Sequence, residues 1–430
     1  MKEVIIFRRD DTLSPSRALY YKDLLYRVLK IGTEIEATPP KGMTRLMFEE
    51  RVRDKLQPSG NVDKLGQWGV LDVEKEHCGI EIRVIGRHPY FQVLYEQYAY
   101  ITGVIEAEGG RMRPTCGTHF HVLPSGLAEP VPEIILANIW NLTRRYAPYL
   151  KFLTSGGDKP EALCRRRSHN SHLEMVKYTP AVMTMRQIKE TLDNSSVVPK
   201  HQNFLNLEHL TFTDRDEVHD FHLEFRFPDA DLSSTSLTAK TFLFLAIVLK
   251  SVEMSQYGVI HTGKFRAWKR KQELLDMLNN NDGDLATSDT SGVTPEVIEE
   301  LRGGCRELLE LLKPVFIRFG HNLSFEALSD LAETPLSLRR IQGLSWQAIE
   351  QQLLQKASLN EHVWEPAETH LMRLIELAEL TNFPAQHEWK VAAAESLLCL
   401  TAEVDTRLKK IASFRYVQWD PQLGTFIFLN

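Results

Sequence analysis

Seven residues, Phe221-His222-Leu223-Glu224-Phe225-Arg226-Phe227, alternate strictly between large apolar side chains and groups that titrate or bind ions. Successive side chains of a strand point to opposite faces, so this run predicts a strand with His222, Glu224 and Arg226 on one side and four hydrophobes on the other. Such a strand has to bury one face and leave the other polar, which is the habit of antiparallel sheets packed on one side only. Three further runs repeat the pattern. Gly32-Thr33-Glu34-Ile35-Glu36 sets two carboxylates on one face, roughly 7 Å apart by strand geometry. Cys116-Gly117-Thr118-His119-Phe120-His121-Val122 does the same with two imidazoles. Leu71-Asp72-Val73-Glu74, followed by Gly79-Ile80-Glu81-Ile82-Arg83, pairs Asp72 with Glu74 and Glu81 with Arg83.

Taken singly, each run has an ordinary reading: a solvated strand face, a hydrogen-bonded histidine pair, a cross-strand ion pair, a charged turn around Glu74-Lys75-Glu76-His77. Repetition changes the balance. One curved sheet can aim all four polar faces at a common cavity, which predicts an α+β fold built on a curved, mostly antiparallel sheet flanked by helices.

The rest of the chain is read around that sheet. With 430 residues, and roughly 150 per domain, two or three domains are expected. Apolar residues at 43% and charged residues at 25% exclude a disordered or fibrous chain, and a net charge of −6 supplies no global field for nucleic acid or an anionic membrane. Cys78, Cys116, Cys164, Cys305 and Cys399 contain no C-x-x-C pair, which argues against a disulfide framework or zinc finger and for a reduced, cytoplasmic setting. The start, MKEVIIFRR, has too short an apolar stretch for a signal peptide. The run Thr241 to Leu249 (TFLFLAIVL) is about half the ~20 residues of a membrane span and reads as a buried helix turn or strand.

Residues 1–280 are expected to form the catalytic domain and 281–293 a linker, since NNNDGDLATSDTSGVT offers nothing to bury. Residues 294–430 are expected to be a mainly helical accessory or partner-binding region, a candidate surface for a protein partner or a second copy of the chain. Thr294-Pro295 opens a helix that Pro314 should end, with further helices at Ser345 to Ala357, Pro366 to Leu380 and Ala385 to Phe414, and a terminal hairpin from Tyr416 to Asn430.

The order G-x-E-x-E, an acidic run with G-x-E-I, C-G-x-H-x-H-V, L-N-L and E-F-R-F resembles the amidoligase family, a branch of the carboxylate-amine ligases with the glutamine synthetase and glutamate-cysteine ligase fold. The resemblance covers about Ile31 to Lys250. It implies an ATP-dependent ligase that forms an amide or peptide bond through an acyl phosphate, with two or more Mg²⁺ or Mn²⁺ ions. It assigns Glu34 and Glu36 to two adjacent ions, Glu81 with Asp72 or Glu74 to completing one of them, and His119 with Glu224 to the other. Arg226 would face the ATP phosphates, His121 would lie near the ions or the acyl group, and Asn206 would sit on the substrate side. The chain departs from the family at Asp72-Val73-Glu74, and at Ile85-Gly86-Arg87-His88-Pro89 where a Ser-Pro is usual.

The chemistry of the residues agrees. Moving a phosphoryl group requires cations at its oxygens, carboxylates suit hard divalent ions, and the planar fork of an arginine holds phosphate oxygens in pairs. No P-loop occurs, so a nucleotide would be held through ions and sheet side chains. The substrates would be a small-molecule, peptide or protein carboxylate and an amine donor. Two other readings use the same residues: a metal-dependent hydrolase or phosphoryl-transfer enzyme, and a non-catalytic partner-binding scaffold. Arg165-Arg166-Arg167 and the basic run Lys264 to Lys271 read as solvated faces before they read as binding sites.

Overall fold

A computed structural model describes residues 6–7, 9–57, 69–86, 91–113, 116–124, 127, 129–156, 184–194, 204–260, 265–279, 294–358, 417–420 and 425–428. In chain order the elements are β1 (Ile6–Phe7), α1 (Pro15–Val28), β2 (Leu29–Ala37), α2 (Arg45–Leu56), β3 (Val70–Lys75), β4 (Ile80–Ile85), α3 (Phe91–Ala107), β5 (Thr118–Pro124), α4 (Glu133–Arg145), α5 (Ala147–Leu153) and α6 (Met185–Asp193). They continue with β6 (Leu205–Asn206), β7 (Thr211–Phe212), β8 (Val218–Asp220), β9 (Leu223–Phe225), α7 (Ser234–Met254), β10 (Val259–Ile260), α8 (Phe265–Asn279), α9 (Pro295–Arg318), α10 (Asn322–Glu333), α11 (Leu336–Ile341), α12 (Trp346–Ser358), β11 (Val417–Asp420) and β12 (Thr425–Phe428).

The fold is α+β. Six strands form one sheet in the order β3-β4-β2-β5-β9-β6, every neighbouring pair antiparallel. Its apolar face carries Ile31, Ile35, Ile80, Ile82, Val84, Phe120, Val122, Leu223 and Phe225, all buried. That face packs on α7, where Phe244 sits 4.9 Å from the Phe120 ring and 4.4 Å from the Phe225 ring. Thr33 adds a polar tie: its hydroxyl lies 2.7 Å from that of Tyr98 on α3, which in turn lies 3.0 Å from the Thr241 hydroxyl on α7.

Helix α7 is the hub of the molecule. It is long and apolar enough to cross a membrane, yet all of its residues except Glu253 are buried, and it packs against α1, α3, α4, α9, α10 and α12. The TFLFLAIVL run is the middle of this helix. Ser233 caps its start, accepting from the Ser236 amide at 3.1 Å, and Glu350 of α12 accepts from the Ser233 and Thr235 hydroxyls at 2.6 Å each. A carboxylate at a helix N-terminus also meets the positive end of the helix dipole.

Pro314 does not end its helix. α9 runs through it to Arg318, because the Pro314 ring faces solvent while Val315 and Phe316 bury themselves just beyond it. The cost of a proline inside a helix, about 3 kcal/mol, is offset here by tertiary packing. The basic run around Arg270 lies on α8, with the Arg270 guanidinium paired to Glu300 and Glu273. The terminal hairpin forms as β11 and β12, Val417 opposite Phe428, as its own two-stranded sheet. The expected helices at Pro366 to Leu380 and Ala385 to Phe414, the linker 281–293 and Arg165-Arg166-Arg167 lie outside the described residues.

Candidate metal centre

The register of the sheet decides which polar groups meet. On β2, Glu34 stands opposite Arg83 of β4 on one side and His119 of β5 on the other, while Glu36 stands opposite Glu81. On β5, His121 stands opposite Glu224 of β9, which stands opposite Asn206 of β6. Gly32 is the residue of β2 across from His121, and a Cβ there would lie 3.2 Å from the His121 Cβ. Its bare backbone leaves that imidazole room.

Two groups of ligand-competent atoms result, each within 4.8 Å of one another: Glu34, His119, His121 and Glu224, and then Glu36, Glu81 and His119. His119, almost fully buried, joins them. Its Nδ1 lies 2.8 Å from Glu34 Oε2 and 3.2 Å from Glu224 Oε1, and its Nε2 lies 3.6 Å from Glu36 Oε1. His121 Nε2 lies 3.3 Å from Glu34 Oε1 and 3.8 Å from Glu224 Oε1, while its Nδ1 is 3.0 Å from His222 Nε2.

The acids are positioned from behind. The Gly117 amide donates to Glu36 Oε2 at 2.6 Å, and the Asn206 side-chain amide donates to Glu224 Oε2 at 2.8 Å. Arg226 donates to Glu224 Oε1 through Nη1. Arg83 donates from Nε to Glu81 Oε1 at 2.9 Å, with Nη2 3.2 Å from Glu74 Oε2.

The electrostatics follow from this crowding. Burial pushes the Glu34 carboxyl up, and the hydrogen bonds and charges of His119 and His121 more than reverse it, holding the group well below the ordinary carboxylate range. Glu81 goes the other way: burial, then the charge of Glu34, push it up to about 7 against the pull of Arg83. His222 is pushed down to about 4 by burial and by the neighbouring His121 and His209.

These residues suit a divalent ion. The donors are carboxylate oxygens and imidazole nitrogens, the ligand types taken by Mg²⁺, Mn²⁺ and their neighbours. His121 Nε2 is buried and reaches carboxylate oxygens only at long range, 3.3 Å to Glu34 Oε1 and 3.8 Å to Glu224 Oε1. Carboxylates and imidazoles that converge on one buried face present together the lone pairs a cation can take.

Of the residues singled out in the sequence, Glu34, Glu36, Glu81, His119, His121 and Glu224 come together, with Arg226 and Asn206 directly behind Glu224. Asp72 and Glu74 do not join either group. The pairing of β3 with β4 shifts between Val70 and Asp72, and Asp72 turns back to accept from the Val73 amide at 2.7 Å, while Glu74 takes Arg83 instead. β3 is an edge strand whose outward carbonyls are occupied by α2, Gln57 on Leu71 at 2.8 Å and Arg53 on Val73. Arg83 and His222 also reach this cluster, Arg83 on Glu81 and His222 on His121, and each stands at i+2 or i−2 from an acid in its run, the spacing that could have pointed to them. Cys116 is buried with its sulfur 3.2 Å from the Thr38 hydroxyl, a packing position.

No protein-family model and no curated protein matches the sequence. Solved structures that it is similar to include a bifunctional glutathione synthetase from Pasteurella multocida, at 11% identity and a TM-score of 0.41. That alignment covers 88% of this chain, which spans 57% of the length of the synthetase. Another is the ligase PafA in its complex with the prokaryotic ubiquitin-like protein Pup, at 12% identity and a TM-score of 0.35, covering 94% of this chain and 87% of that one.

Proposed function

We propose that this chain is an ATP- and metal-dependent carboxylate-amine ligase of glutamine synthetase-like type, acting through an acyl phosphate. The observation that carries the reading is the convergence of Glu34, Glu36, Glu81, His119, His121 and Glu224, from four strands, on one polar face of an antiparallel sheet. Four carboxylates brought this close repel one another, and a protein tolerates that where cations are to be held.

Glu34, His119, His121 and Glu224 would hold one Mg²⁺ or Mn²⁺ ion, and Glu36 and Glu81, with His119 beside them, a second. When bound, such ions neutralise the oxygens of a transferring phosphoryl group. Arg226, partly exposed and anchored on Glu224, would hold ATP phosphate oxygens through the free side of its fork. Asn206 fixes the rotamer of Glu224 from behind. In the reaction the substrate carboxylate attacks the γ-phosphorus, ADP leaves, and the amine then displaces phosphate from the acyl carbon to leave an amide. His121, which lies beside His222, would orient the reacting acyl group.

The catalytic groups fall within residues 1–280, and the helices from 294 to 358 support the site through α7. The carboxylate is an amino acid, a peptide terminus or a protein side chain, and the amine a second small molecule or peptide.

An ADP-release assay with Mn²⁺ and mixed amino acids or peptides tests the reading. A ligase releases ADP only when both an acyl donor and an amine are present. Steady phosphate release without them would identify a hydrolase, and no turnover under any combination would identify a scaffold.

A further inference from the structure

Arg83 holds one acid of each ligand group. Its Nε lies 2.9 Å from Glu81 Oε1 and 3.7 Å from Glu34 Oε1, and its Nη2 lies 3.2 Å from Glu74 Oε2. The β2–β4 register makes the first two contacts unavoidable, since Arg83 stands opposite Glu34 and two residues from Glu81 on the same strand face. The third acceptor differs from the others. Glu74 lies on the edge strand outside both ligand groups, and with its side chain 42% exposed it offers a position toward solvent. Asp72, the β3 residue opposite Arg83, is 43% exposed as well.

We propose that Arg83 is a resident counter-cation of the acid cluster, which a divalent ion displaces from Glu34 and Glu81, so that this side chain sets the affinity of the site for its ions. The inference rests on the metal reading given above. An ion bound by a carboxylate sits about 2 Å from the oxygen, nearer than any guanidinium nitrogen can come, and two unlike cations cannot share the same lone pairs without repulsion. Arg83 can yield because its side chain is 44% exposed and Glu74, already 3.2 Å from its Nη2, lies on its outer side. The metal-free cluster is thereby kept partly neutral and folded, and the exchange takes its place on loading. A lysine would carry the same charge with a shorter reach and no fork.

The test is Mn²⁺ binding by the full-length protein without nucleotide, read from the free-Mn²⁺ signal in electron paramagnetic resonance. Arg83→Gln should bind Mn²⁺ about tenfold more tightly than the wild type, and Arg83→Lys within about threefold of it. Metal-free Arg83→Gln should melt lower than the wild type, and saturating Mn²⁺ should remove the difference. Unchanged or weaker binding by folded Arg83→Gln overturns the inference and leaves Arg83 a positioning residue for Glu81. A wild type that binds no Mn²⁺ overturns both this inference and the metal reading. A second measurement does not depend on the Gln variant folding: the Arg83 Nε–Hε resonance, identified by its loss in Arg83→Lys, should shift when the wild type is saturated with Mg²⁺. A resonance that stays put in protein that binds the ion overturns the exchange.

Discussion

Two regions of this molecule bury charge, and they do it by opposite rules. Around α7 the buried ions come in closed pairs: Lys240 with Asp231, both inaccessible to solvent, and Lys151 with Asp229 at 2.9 Å, with the Phe227 carbonyl as a further acceptor for Lys151. Asp231 is also met by the Ser236 hydroxyl and the Ser233 amide, so its oxygens are used. On the polar face of the sheet, Glu34, Glu36, Glu81 and Glu224 meet two guanidinium groups among the described residues, Arg83 and Arg226, together with the imidazoles of His119 and His121 and the neutral donors Asn206 and Gly117. A structural ion pair balances its charges within the protein. The sheet face instead gathers four carboxylates around two imidazoles and two guanidinium groups among the described residues, the arrangement on which the proposed metal site rests.

Substitutions that remove one acid should separate the regions most sharply. Glu34→Gln, Glu36→Gln and Glu224→Gln should each reduce metal-dependent ATP turnover below detection while the protein still folds, and thermal denaturation in EDTA near neutral pH should show Glu34→Gln melting below the wild type, because the ionised Glu34 is held by His119 and His121 in the metal-free protein. Full turnover in all three would end the metal proposal. In the core the same kind of change should act on stability alone. Lys240→Met strands Asp231 in a dry interior and should cost about 3–5 kcal/mol by urea denaturation, with Mn²⁺ affinity unaltered in the folded fraction. A melting curve like that of the wild type would show that the α7 pair is dispensable and would blur the distinction drawn above.

Arg226→Lys should lower ATP turnover by about 10- to 100-fold, since an ammonium keeps the charge but loses the paired hold on phosphate oxygens. Wild-type rates with lysine would return Arg226 to a structural partner of Glu224. The smallest effect is expected farthest from the cluster. Glu350→Gln weakens the acceptor for Ser233 and Thr235 at the start of α7 and should cost about 1 kcal/mol of stability, with ATP turnover within about threefold of the wild type. A 100-fold fall in turnover at full folding would place α12 in the active site.

Which polar residues share a face was legible from the sequence, for a specific reason. A strand repeats its side-chain direction every two residues, so Glu34 with Glu36, His119 with His121, and Glu224 with Arg226 declare a shared face from spacing alone. Asp72 and Glu74 have the same spacing and, opposite Arg83 and Glu81, the same face, yet neither reaches the two ligand groups. Their strand is at the sheet edge, its pairing slips between Val70 and Asp72, and no local pattern announces such a slip. Pro314 misled in a similar way, because its local cost is outweighed by the burial of Val315 and Phe316.

The apolar run TFLFLAIVL shows the same division from the other side. Its composition established that it must leave water, but composition cannot choose between a strand, a helix turn and the middle of a 21-residue core helix. That choice came from α1, α3, α4, α9, α10 and α12 closing around it. By itself, then, the sequence determined which residues are polar, which are apolar, and which of them share a strand face, because these are properties of neighbours along the chain. Only the tertiary structure decided that β4, β2, β5 and β9 lie side by side, that Glu34 meets both His119 and Arg83, and that Gly32 clears space for His121. Strand order and register are long-range choices, made by the whole core at once, and the chemistry of the site depends on distances that only those choices set.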